Sequence, residues 1–319
     1  MPKSVRLINV DECVTSSDNV VKWADYYVAP IPAADGHSPS ADSLMFGGGE
    51  LSGAVNIKTC DLKQFSSSAI ALNHGELSQE RRGLAGGSNG SQVLFGGGYS
   101  DSGDVNTCDM KQFSSTAIAV DHGDLSQGRR FLVAGSDGTQ VMFGGGHISN
   151  TCDMKQFSTT AIAVDHGDLT QARGYLAAAS DGTQVMFGGG WANSDVNTCD
   201  MKQFSSTAVA EDHGDLTSTR SNLAAASDST QVMFGGGGSV NTCEMKQFSS
   251  TSIAVDHGDL TSARWSFTAG SDGTQVMFGG GQFVNTCDMK QFSSTSVAVD
   301  HGDLSQAKGA LDAASGTAA

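Results

Sequence analysis

At 319 residues the chain is long enough for one large domain or two ordinary ones, and length alone does not choose. A formal net charge of −16 makes the surface repel phosphate backbones and anionic headgroups, so nucleic-acid binding and membrane insertion are not expected. Forty-one glycines against four prolines suit many short strands joined by tight turns, which points to an all-β class.

In chain order, the start MPKSVRLINVDECV lacks the long apolar core of a secretion signal, and no later run is long and apolar enough to span a bilayer. Residues 1–41 read as an arm and linker: WADYY, from Trp23 to Tyr27, is its most apolar part, followed by the Pro-containing APIPAADGHSPS. It is expected to be either a strap packed on the rest of the chain or a docking arm that orders on a partner.

From residue 42 to 319 one unit repeats. FGGG begins at Phe46, Phe95, Phe143, Phe187, Phe234 and Phe278, a period of 44 to 49 residues. Each period carries FGGG, a variable stretch, TC(D/E)(M/L)KQF, an apolar-alternating run such as TAIAVDHGDL, a basic residue, and a segment such as LAAASDGTQVMF. Around Phe187 the pattern predicts four strands. Strand a is the small-residue run GYLAAAS, strand b is TQVMFGGG after an Asp181-Gly182 turn, strand c is VNTCDMKQF, and strand d is STAVAEDHGDL. Four antiparallel strands at this period predict a propeller blade, with the Ala-rich strand a nearest the axis.

The two ends supply halves of one blade. The repeats open at SLMFGGG, a strand b lacking its strand a, and close at GALDAASGT after Lys308, a strand a lacking its strand b. The prediction is a six-bladed ring in which the last strand, at about 308–317, pairs with the first blade, residues 43–79, and hides both edges.

The recurrent polar residues invite chemistry. DHGDL repeats His74, His122, His166, His213, His257 and His301, but copies on the outer strand of a ring do not converge as zinc ligands must, so packing or hydrogen bonding is expected, and no metal or cofactor. The same geometry keeps Cys60, Cys108, Cys152, Cys199, Cys243 and Cys287 apart as buried thiols, and Cys13 has no obvious partner. The acid of GDL and the basic residue five positions on recur as Asp168 with Arg173, Asp215 with Arg220, and Asp259 with Arg264, expected to brace the d-to-a crossing; a basic ring for an anion is the sharper alternative.

The order of Arg, strand, turn, strand ending in Gly-Gly, variable loop and two more strands resembles the kelch repeat over residues 43–319, without that repeat's Tyr in strand c or Trp in strand d. DHGDLTSAR and QVMFGGG are also similar to the repeat text of propeller proteins from tailed bacteriophages, with His where that text has Phe. The resemblance implies a virion component of tail-fibre or decoration type, made in the host cytoplasm and bound to other virion proteins.

Copies differ in two places: the b-to-c loop, and the residues just after the basic one. Both connections emerge on one side of an up-and-down blade. That face is expected to carry Tyr99, His147, Trp191, Phe283, Phe131, Tyr175 and Trp265, large contact surfaces suited to a protein or to a host cell-surface carbohydrate. A non-enzymatic structural and binding role is expected. The alternatives are a carbohydrate-active or copper-dependent enzyme, which would need one blade to depart from the rest in polar residues, and an intracellular kelch-type scaffold.

Overall fold

The computed structural model describes residues 41–52 and 54–317, so residues 1–40 of the arm, with Cys13 and Trp23, lie outside the described residues. The described chain forms six sheets of four antiparallel strands in the order a-b-c-d. In blade 4 these are Ala177–Ser180, Gln184–Gly188, Thr198–Gln203 and Glu211–Asp215. The Asp181 turn works as the sequence suggests. Its Oδ1 accepts from Thr183 N, Thr183 Oγ1 and Gln184 N at 2.7 to 2.9 Å, and Gly182 takes the left-handed conformation.

Two strand limits need correction. Strand a starts at Ala177 rather than Gly174 because Tyr175 has φ 55°, which no strand accommodates. Strand d starts at Glu211, and residues 206–210 form a loop. The cause is the buried lysine of KQF. Lys202 Nζ donates to Ser206 O at 2.6 Å, and in blade 3 Lys155 reaches both Thr159 O and Ala161 O at 2.7 and 2.6 Å. A lysine ammonium carries three donors, and turning carbonyls onto it curls the chain. The alternation of the apolar run therefore points outward: Ala163 is buried, whereas Ile162 and Val164 are 65% and 68% exposed.

The ring closes where the sequence predicts. The final strand, Asp312–Gly316, pairs with Ser43–Gly47, Ser43 opposite Gly316 and Gly47 opposite Asp312, and completes the blade containing Thr59–Gln64 and Leu72–Glu76. A second circuit runs around the axis. The N–H of Phe131 donates to Gly83 O, Tyr175 to Phe131 O, Asn222 to Tyr175 O, Ser266 to Asn222 O, Ala310 to Ser266 O, and Gly83 to Ala310 O, all at 2.7 to 3.1 Å. Six bonds, one per blade, return to their starting residue.

Packing between blades explains the first glycine of FGGG. A Cβ on Gly188 would lie 2.5 Å from the Phe234 ring of the next blade, so only glycine lets that ring sit flat on the backbone. Phe46, Phe95, Phe143, Phe187, Phe234 and Phe278 are all fully buried this way. Each contributes about 1.5–3 kcal/mol of apolar burial.

Candidate functional site

The recurrent polar residues build the seams between blades. Arg173 gives its carbonyl to Gly146 N of blade 3 at 3.1 Å and sends its guanidinium under blade 4, donating to Thr198 O at 2.9 Å and Phe187 O at 3.3 Å. Its carboxylate is Asp200 of strand c, at 3.1 Å, not Asp168 as the spacing suggests. Arg220 likewise pairs with Glu244 rather than Asp215, and Arg264 with Asp288 rather than Asp259. Burial is the reason: the acids of strand c have essentially no exposure and need a counter-charge, whereas Asp168, Asp215 and Asp259 are half-buried at the ends of strand d. Those three give backbone carbonyls to Ala210, Ala254 and Ala298 of the next blade at 2.8 to 2.9 Å. The six basic residues Arg81, Arg129, Arg173, Arg220, Arg264 and Lys308 are at most 3% exposed and each is paired, so they present no basic ring to a ligand.

The histidines serve the seams too. Each Nε2 lies 3.1 to 3.3 Å from the carbonyl of the KQF glutamine one blade on, as His166 does with Gln203. A carbonyl only accepts, so Nε2 carries the proton. Burial holds all six imidazoles below their ordinary pKa, against the opposing pull of that hydrogen bond. The six repeat cysteines are buried free thiols, and burial pushes each up to about 12, which disfavours the nucleophilic thiolate.

The loop face is different. Its two variable segments meet: Tyr99 N donates to Arg82 O at 2.8 Å, Trp191 N to Gly174 O at 2.8 Å, and His147 N to Arg130 O at 2.8 Å. Blades 1 and 2 extend their b-to-c loops into two-stranded ribbons, Glu50–Leu51 with Val55–Asn56 and Tyr99–Ser100 with Gly103–Asp104. Of the aromatic residues expected on this face, Tyr99, Phe131 and Tyr175 form one cluster. Phe131 and Tyr175 stack with centroids 4.0 Å apart, while the guanidinium carbons of Arg82 and Arg130 lie 5.0 and 4.6 Å from the Tyr99 ring. Arg82 pairs with Glu50 and Arg130 with Asp104, both at 2.9 Å. Burial raises the Tyr175 pKa, against the opposing pull of Arg130 and Arg82. Trp265 is 40% exposed, whereas His147, Trp191 and Phe283 are half-buried on the remaining loops.

Sequence reasoning placed Arg130 in the variable set beside Phe131 without giving it a role, and missed Arg82 and one acid. Both arginines directly follow seam arginines, which mask them. Asp312 stands where the other blades have Ala85, Val133, Ala177, Ala224 and Thr268, a departure visible in LDAAS against LAAAS. It lines a half-open axial cavity of about 100 Å³ walled by the strands a of all six blades. Its Oδ1 accepts from Thr268 Oγ1 of blade 6 at 2.8 Å and its Oδ2 from Gly86 N of blade 2 at 2.5 Å, so the closing strand is clasped on both sides. Burial raises this carboxyl to about 7.

No protein-family model matches the chain, and no curated protein matches it.

Proposed function

We propose that the propeller is a non-enzymatic binding and assembly protein that holds a neighbouring virion protein or a host surface glycan on its loop face. The observation that carries this is the cluster of Tyr99, Phe131 and Tyr175 with Arg82 and Arg130. Aromatic faces stack on sugar rings and on apolar protein surface, and a guanidinium beside a carboxylate offers donors and acceptors in fixed geometry to hydroxyl groups. The recurrent histidines, thiols and seam carboxylates are committed to the scaffold, which favours binding over catalysis. The virion assignment rests on the repeat text, and a propeller fold is consistent with a protein-interaction role.

The rim supports assembly. Outward positions of the apolar run, such as Ile70, Leu72, Ile118, Val120, Ile253 and Val255, are 61–72% exposed beside an unpaired edge strand, a surface that soluble monomers avoid.

Replacing Tyr99, Phe131 and Tyr175 by Ala, then measuring incorporation into particles and binding to a glycan array, tests the proposal. Loss in either assay with the fold intact supports it; unchanged results in both remove it.

A further inference from the structure

We propose that the axial cavity is a binding site for one ammonium cation, with the Asp312 carboxylate as its counter-charge. The site does not depend on which partner the loop face holds. Asp312 is not required by the blade, because three other blades place alanine at the same register. The groups bonded to its carboxylate are all neutral: Thr268 Oγ1 and Gly86 N of the two flanking blades and the backbone of Ala313, while Gly47 lies opposite it in the ladder. The carboxylate is held by neutral donors alone and keeps partial exposure to the cavity, so a cation lodged there would supply the counter-charge that no neighbouring side chain gives it.

The surroundings fit ammonium. The cavity opens at the ring of αL residues, where the Phe131–Tyr175 stack forms one side of the rim and the hydrogen-bonded pair Asn222–Ser266 the other. Aromatic faces attract cations. Asp312 lies two residues below that rim along the strand, about 7 Å deep, within reach of an amine on a four-carbon stem. The described residues contain no group of three or more His, Cys, Asp or Glu suited to a metal ion, which leaves a divalent cation short of ligands. The net charge of −16 draws cations toward the molecule from any direction.

The test uses the full chain at pH 8, where Asp312 is ionised. Its melting midpoint is followed while methylammonium chloride replaces sodium chloride at constant ionic strength. A saturating rise of about 2–3 °C is expected, smaller at pH 5 and absent in Asp312→Asn. Asp312→Ala serves as the second variant, since alanine already occupies the equivalent site elsewhere in the ring. A parallel arm with N-acetyl-lysine methylamide separates the sources: a rise with both ligands means a side-chain amine is accepted, and a rise with methylammonium alone means a free ion. No rise beyond sodium chloride, or an equal rise in the Asp312 variants, overturns the proposal.

Discussion

The seams between blades and the mouth of the axis are built from the same repeat, yet only one of them stays the same around the ring. At every seam a basic residue, a buried acid of strand c and a histidine recur in matching geometry, as Arg173 with Asp200 and Arg264 with Asp288 show. At the mouth, the equivalent residues are Gly83, Phe131, Tyr175, Asn222, Ser266 and Ala310, six positions joined by one circuit of backbone bonds and sharing almost no side-chain chemistry. Where backbone geometry is enforced and side chains are free to differ, a near-symmetric ring acquires a direction. What recurs holds the disc together; what departs is where the proposed recognition would lie.

The comparison breaks most readily at a seam. Asp200→Ala leaves the Arg173 guanidinium buried without its charge partner and is expected to cost about 3–5 kcal/mol in denaturant unfolding. A loss under 1 kcal/mol would mean the pair is dispensable.

Next in size is Asp312, the departure that lies at the closure. Its folded pKa is raised to about 7 from 3.8, so between those values the folded state holds a proton the unfolded state has released, and stability falls as pH rises through that window. Asp312→Asn should therefore be more stable than the parent by about 2–4 kcal/mol at pH 8 without ammonium, and equal to it near pH 3.5. The histidines act in the opposite sense. With folded pKa values lowered, their contribution is present above about pH 6.5 and is lost as pH falls through the unfolded value. Once Asp312 is removed, stability should decline steadily from pH 7 to pH 5, and a flat profile would contradict the histidine assignment.

The smallest expected effect on stability is at the rim. Ile162→Ser changes a side chain already 65% exposed, so the unfolding midpoint should move by less than about 0.5 kcal/mol while any self-association or particle incorporation falls.

Much of the scaffold was legible because repetition multiplies weak signals: six copies of FGGG fixed the blade count, and the missing strand before Phe46 matched the orphan strand after Lys308. Partner choice was not legible. Asp168 sits five residues from Arg173 and looked like its mate, but burial, which decides where a counter-charge is needed, belongs to the folded blade and selected Asp200. The alternation of TAIAV read as part of strand d because the curl imposed by Lys155 depends on carbonyls brought together only in the hairpin. On the loop face the aromatic residues could be identified by copy-to-copy variation, whereas their grouping into one cluster needed the ring to place blades 2, 3 and 4 side by side.

The most direct measurement gives the mouth the monotony of the seams. In one variant Arg82, Tyr99, Arg130, Phe131 and Tyr175 are replaced by Ser, Gly, Ser, Asn and Asn, after Ser221, Gly238 and Asn222 of blade 5, and the variant is compared with the parent for thermal unfolding and for binding to particles or glycans. The account predicts a closed ring that melts within a few degrees of the parent and no longer binds. Full binding by this variant, or collapse of the fold together with binding, would contradict it.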